Sequence, residues 1–204
     1  GEDPRYYSKL KRCFDHTYHP RRNPFNKVDG WFSRPRSNPR RRGPRQARRT
    51  SVFCYGSNDP AQIEERLGGA SQPEYYCAWL DGYKRVFRGW SRNWQCGVAS
   101  LKKARSGRTY GFVATVTQEE LRQLDRFEGV NSQQPRSRRG SYRREKVNVT
   151  DEAGDLQSVW VYVSNSNEFN RPSRTYLKAV ARTIRYCWSG SSGSRVTWQD
   201  IPIR

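Results

Sequence analysis

From residue 51 onward the apolar and aromatic positions fall in short runs rather than in one long stretch. The runs at 51–55, 75–87, 96–101, 110–116, 142–150 and 156–163 are rich in Val, Tyr, Phe and Trp, which predicts five or six β-strands. At 117–127 the period changes. Leu121, Leu124 and Phe127 share one face there, and Thr117 with Glu120 makes a capping box, so a helix is predicted. A second helix is predicted over 173–186, where Tyr176, Leu177, Val180, Ile184 and Cys187 recur at helical spacing. A shorter one, over 61–67, follows the first strand. With no internal repeat visible, residues 51–204 read as one α+β domain.

Upstream of residue 51 no period survives. Aromatic and basic residues are interleaved there with prolines at 20, 24, 35, 39 and 44, which interrupt both helix and strand. Residues 34–49 hold eight Arg in sixteen positions and cannot bury enough apolar surface to fold alone. Residues 1–50 are therefore predicted to be an extended basic arm.

Composition adds three things. Only 33% of the chain is apolar, yet it holds 7 Trp, 12 Tyr and 8 Phe, enough for a core when gathered in the folded part. The net charge is +20, with about half of the excess in the first quarter of the chain. Such a charge repels itself and attracts polyanions, so RNA is the expected partner, against the plainer reading of a solvated basic surface. No run of about 18 apolar residues exists, so no membrane partner is expected.

The five cysteines, Cys13, Cys54, Cys77, Cys96 and Cys187, are odd in number and widely spread, with no C-x-x-C pair. That argues against a disulfide framework and a zinc ribbon, and favours a reducing compartment. The chain starts with Gly and contains no Met, from which a removed leader and the mitochondrial matrix are expected.

Candidate chemistry is narrowed by histidine. His16 and His19 both lie in the arm, so the folded part has no Ser-His-Asp or Cys-His nucleophile and any proton transfer must use a carboxylate. Cys13, His16 and His19 lack an obvious fourth ligand, so no metal site is expected. Two pieces stand out. Val52-Phe53-Cys54-Tyr55-Gly56-Ser57-Asn58 ends an apolar strand in a turn whose backbone N–H groups can face a cavity and hold a carboxylate or an oxyanion. Leu124-Asp125-Arg126-Phe127-Glu128-Gly129-Val130 ends a helix at Gly129 and leaves Glu128 where the helix dipole disfavours negative charge, a suitable place for a general base. Alone, each is an ordinary turn or helix end.

Their order is more telling. Tyr55-Gly56-Ser57-Asn58, Arg66-Leu67, Leu80-x-Gly82-Tyr83, Val86-Phe87, Trp94-x-x-Gly97-Val98-Ala99, Gly111-Phe112-Val113, Leu124-Asp125-x-x-Glu128-Gly129-Val130, Tyr142, Val161-Tyr162-Val163 and Pro172-Ser173-x-x-Tyr176-Leu177 follow one another over about 150 residues. This series resembles the gamma-glutamylcyclotransferase-like family. The resemblance implies a mixed β-barrel with flanking helices, and a cavity where the Tyr-Gly-Ser-Asn turn faces a catalytic Glu. It also implies the release of 5-oxoproline from a gamma-glutamyl compound without a cofactor. Glu128 matches the family's acid/base. Gly56, Ser57 and Asn58 would hold the substrate, with Tyr55 and Tyr142 lining the site. Between Glu128 and Tyr142 the chain carries a longer link than the family's, with Arg136, Arg138, Arg139, Arg143 and Arg144 in or beside it.

Two functions compete at this level. The favoured expectation is an RNA-bound structural subunit of a mitochondrial ribosome or similar ribonucleoprotein, contacting rRNA or other structured RNA and neighbouring subunits. Arg34, Arg36, Arg40, Arg41, Arg42, Arg45, Arg48 and Arg49 of the arm would neutralise phosphates, together with the five arginines of the link. The alternative is an active cyclotransferase acting on a small gamma-glutamyl substrate.

Overall fold

A computed structural model describes residues 48–69, 71–131, 133–136, 140–188 and 197–203. The arm's arginines from Arg34 to Arg45, together with Arg138, Arg139, Cys13, His16 and His19, lie outside the described residues. Five strands are present among the described residues: β1 (Arg49–Cys54), β2 (Glu74–Ser91), β3 (Cys96–Thr117), β4 (Tyr142–Asp151) and β5 (Leu156–Ser164). They close into a barrel in the order β1-β3-β2-β4-β5. Every neighbouring pair is antiparallel except β1 and β5, which run parallel and shut the barrel through Val52 opposite Trp160 and Phe53 opposite Val161. Three helices accompany it: α1 (Pro60–Arg66), α2 (Gln118–Glu128) and α3 (Arg174–Arg185). Among the described residues no helix is long and apolar enough to cross a membrane.

Strand side chains alternate between faces, yet the end of β1 at 52–54 and the two ends of β3, at 96–101 and 111–116, are apolar or buried almost throughout because both of their faces are covered. Phe53, Val113, Val149, Val159 and Val161 pack in one cluster with Leu177, Val180 and Ile184 of α3. Val52, Cys54, Phe112, Ala114 and Val116 turn the other way and meet Ile63 and Leu67 around α1 and Leu121 and Leu124 of α2. The two clusters thus hold α3 to one face and α1 with α2 to the other, which fixes the helix ends around the mouth of the site.

The helices begin where the sequence predicts, because each has an oxygen waiting for its first free N–H groups. Asp59 caps α1 through the Gln62 amide at 3.0 Å, with Pro60 in the first turn. Thr117 and Glu120 complete the capping box of α2, and Ser173 caps α3 through the Tyr176 amide at 3.1 Å. Gly97 serves a packing need: a Cβ there would stand 1.9 Å from the Asn170 carbonyl oxygen, where the chain entering α3 crosses the start of β3.

Two expectations need correction. The runs 96–101 and 110–116 are one strand, β3, which pairs with β2 from Glu74 opposite Thr115 to Ser91 opposite Cys96. The cysteines do form a disulfide. Cys77 on β2 is bonded to Cys187 just past α3, with Cα atoms 5.4 Å apart and a sequence separation of 110. Trp188 docks this end of the helix against Trp79 and Tyr110 and donates from Nε1 to the Gly111 carbonyl at 2.9 Å, which brings the two sulfurs together. Cys54 and Cys96 are buried free thiols.

Candidate active site

A cavity of about 510 Å³ opens at the end of the barrel where β1, α1, α2, β4, α3 and the β2–β3 turn converge. Glu128, the last residue of α2, lines it. The helix stops there because Gly129 adopts the left-handed conformation at φ 63° and its N–H returns to the carbonyls of Arg126 and Asp125. The Glu128 carboxylate is only 14% exposed, and Oε1 accepts from Asn58 Nδ2 at 3.0 Å and from Arg66 NH1 at 2.9 Å. The helix dipole acting on this carboxylate is thus countered by a guanidinium from the last turn of α1.

The turn at 55–58 follows directly from β1. Its position is set from beneath by Arg85 Nε, which donates to the Tyr55 carbonyl at 2.9 Å, while NH2 of the same side chain donates to the Tyr110 carbonyl at 2.9 Å. Burial pushes the Arg85 guanidinium down to about 10, leaving it a cation at neutral pH. Among the described residues no acceptor takes the amide N–H of Gly56, Ser57 or Asn58. Three donors therefore remain for a ligand in the cavity that these residues line.

Tyr162 and three further tyrosines wall the site. Tyr55 donates its hydroxyl to the Tyr162 carbonyl at 2.6 Å and Tyr142 donates to the Ala99 carbonyl at 3.3 Å. Tyr176 accepts from the Ala99 amide at 2.8 Å, and its hydroxyl is in hydrogen-bond contact with Ser57. Burial raises all three phenols, Tyr176 to about 12 and the others well above their ordinary value. Burial likewise pushes up the Cys54 thiol, which removes it as a thiolate nucleophile. These groups are neutral near pH 7, and Glu128 carries the one carboxyl side chain among the residues that line the cavity. No His, Cys, Asp or Glu cluster among the described residues could hold a metal ion.

Tyr55, Gly56, Ser57, Asn58, Glu128 and Tyr142 accordingly share one cavity. Three contributors were not legible as site residues. Arg66 and Tyr176 were visible only as members of a motif series, and Arg85 bore no signal beyond its place in a strand. Of the arginines assigned to RNA, the five among the described residues do not line this cavity. Arg49 pairs with Glu74, Arg143 with Glu145, and Arg144 with buried Asp125 while lying against the Trp160 ring. Arg48 and Arg136 are exposed. The long link returns to the site at both ends, since Gly129 and Ser141 line the cavity and the Ser141 amide donates to the Gly129 carbonyl at 3.3 Å.

The sequence model of the family described as gamma-glutamyl cyclotransferase, AIG2-like, matches residues 52–179. No curated protein matches the chain. A solved gamma-glutamyl cyclotransferase shares the fold with a TM-score of 0.65 at 22% identity, over 77% of this chain and 90% of its own. An uncharacterized Homo sapiens protein gives 0.64 at 23%, over 76% and 89%. YkqA from Bacillus subtilis gives 0.57 at 22%, over 71% of this chain and 51% of YkqA. These likenesses overturn the expectation of an RNA-bound ribosomal subunit: the match is to an enzyme family, and nothing in it supports a ribonucleoprotein or mitochondrial-ribosome role. Charge had argued for that role, and charge describes a surface rather than a site. With the matched segment covering more than half of the sequence, the chain belongs to the gamma-glutamyl cyclotransferase, AIG2-like family.

Proposed function

We propose that the protein is a gamma-glutamyl cyclotransferase, which cyclises a gamma-glutamyl compound to 5-oxoproline and frees its amine. The observation that carries this reading is the meeting of one anchored carboxylate, Glu128, with three unspent backbone donors at 56–58 in a single cavity. The reaction is intramolecular. The α-nitrogen of the substrate attacks its own γ-carbonyl carbon, a C–N bond forms, and the bond from that carbon to the leaving nitrogen breaks. Two protons leave the α-nitrogen as it passes from ammonium to lactam N–H, one before attack and one once the C–N bond has formed, and both end on the departing amine, which leaves as an ammonium. Glu128 takes each proton and passes it on, so the carboxylate is regenerated and no water is consumed. The N–H groups of the turn hold the substrate carboxylate or the oxyanion that develops on the γ-carbonyl oxygen. Asn58 and Arg66 fix which side of the Glu128 carboxylate faces the substrate.

The test is chromatographic measurement of 5-oxoproline released from gamma-glutamyl amino acids. Glu128→Gln keeps the size of the side chain and removes the proton carrier, and turnover is expected to fall by roughly 10²–10⁴-fold with the fold retained. Absence of 5-oxoproline with the wild-type protein, or undiminished release with the variant, overturns the proposal.

A further inference from the structure

The catalytic groups occupy only the inner part of the cavity, and its outer wall has a composition of its own. Two of the most exposed large apolar side chains of the described chain stand there: Trp90, at the end of β2, is 59% exposed and Phe127, one residue before Glu128, is 58% exposed. Trp94, from the β2–β3 turn, lines the same cavity and packs edge-on against Tyr176 with ring centroids 5.2 Å apart. Exposed aromatic rings gathered around one opening mark a surface meant to be covered. The charge there is one-sided. Arg66, Arg92 and Arg126 line the cavity against a single carboxylate, Glu128, which Arg66 already satisfies. Arg92 and Arg126 make no ion pair among the described residues; Glu119, whose carboxyl feels Arg126 at longer range, is itself paired with Arg122.

Resting on the cyclotransferase reading, we infer that this wall selects the leaving amine, and that the preferred substrate is a gamma-glutamyl aromatic amino acid or a peptide beginning with one. The gamma-glutamyl half brings one carboxylate and one ammonium, which the inner site accommodates. It leaves Arg92 and Arg126 without a counterion. A leaving amine that is itself an amino acid supplies a second carboxylate at the mouth, and an aromatic side chain on it meets the exposed rings of Trp90 and Phe127, the latter already lying against the Arg66 guanidinium at 5.6 Å. The bond broken and the protons returned are those of the reaction above; only the group that departs is specified.

Three substrates separate the contributions: gamma-glutamyl-phenylalanine, gamma-glutamyl-alanine, which lacks the ring, and gamma-glutamyl-phenethylamine, which lacks the second carboxylate. Wild-type kcat/KM for the first is expected to exceed that for each of the others by about tenfold or more, since a well-placed ring or charge pair contributes on that order. Trp90→Ala and Phe127→Ala should each reduce the phenylalanine-to-alanine ratio. Arg92→Gln combined with Arg126→Gln should reduce the phenylalanine-to-phenethylamine ratio. Equal kcat/KM for the three substrates with the wild-type protein overturns the inference while leaving the cyclotransferase reading intact, and needs no variant to fold. Ratios unchanged in folded variants overturn the assignment of these side chains. Failure to release 5-oxoproline from any of the three overturns the proposed function and this inference with it.

Discussion

At the scale of single residues, the site depends on an ion pair that only tertiary packing creates. Arg66 and Glu128 lie 62 positions apart and are 21% and 14% exposed, enough shielding for their contact to hold a geometry rather than merely to add charge. Arg66→Met keeps an unbranched apolar stem and removes the guanidinium with its charge. On the proposed reaction, the expected result is a fall in kcat of about tenfold with an unchanged circular-dichroism spectrum, because Glu128 would lose its orientation and not its carboxylate. Asp125, one turn earlier, is a different case. Its Oδ1 accepts the Tyr162 hydroxyl at 2.9 Å and lies 3.0 Å from Arg144 Nε, close enough for an ion pair although out of line for a hydrogen bond. Asp125→Asn would strand a buried guanidinium, so urea unfolding should show a loss of about 3 kcal/mol or more. Glu128 and the 55–58 turn were legible because each sits at a local boundary of strand or helix. Arg66, Arg85 and the Asp125–Arg144 pair were not, since their roles come from neighbours distant in sequence.

At the scale of elements, legibility followed the strength of local signals. The three helices were readable to within a residue or two because their caps lie in the sequence beside their apolar faces. Thr117→Ala, which removes the side-chain oxygen bonded to the Glu120 amide at 3.2 Å, should cost about 1 kcal/mol in chemical denaturation. The long strands were cut short in the reading because the run from Lys102 to Thr109 is polar and exposed for most of its length; hairpin pairing, not burial, keeps it extended. The disulfide left no local trace at all. Closing a loop across a sequence separation of 110 restricts the unfolded chain, so Cys187→Ser should lower stability by about 2–4 kcal/mol. The comparison to make is urea unfolding of the oxidised protein against the same protein in reducing agent. The variant should match the reduced wild type, because Cys54 and Cys96 are unbonded in both.

For the whole molecule, the excess of positive charge bears on stability whatever it does for partners. With a net +20, the folded chain repels itself more than the expanded chain does, and added salt relieves that repulsion. The Debye length shortens from about 30 Å at 0.01 M to under 10 Å at 0.3 M salt. Exposed pairs such as Arg108–Asp81 weaken under the same screening, but pairs of this kind contribute little each, and the unbalanced cations outnumber them. The thermal midpoint at pH 7 is therefore expected to rise by a few degrees across that range of salt. Acid tests the same argument from the other side. Asp81 and Glu119 are held below the ordinary carboxylate value chiefly by hydrogen bonds from Arg108 and Arg122, and Asp200 by the Thr197 amide and hydroxyl. The folded chain binds fewer protons than the unfolded one as pH falls through that range, so their contribution is complete above the ordinary carboxylate range and lost toward their lowered folded values. Asp125 opposes this, since burial raises its carboxyl and protonation there favours the folded form. Four lowered carboxylates, Glu120 of the capping box among them, against one raised, on a chain whose positive charge grows with every proton bound, give a midpoint that drops steeply below about pH 4, and drops less in 0.3 M salt. A midpoint insensitive to salt at both pH values would show that the excess cations are too far apart in the fold to repel one another.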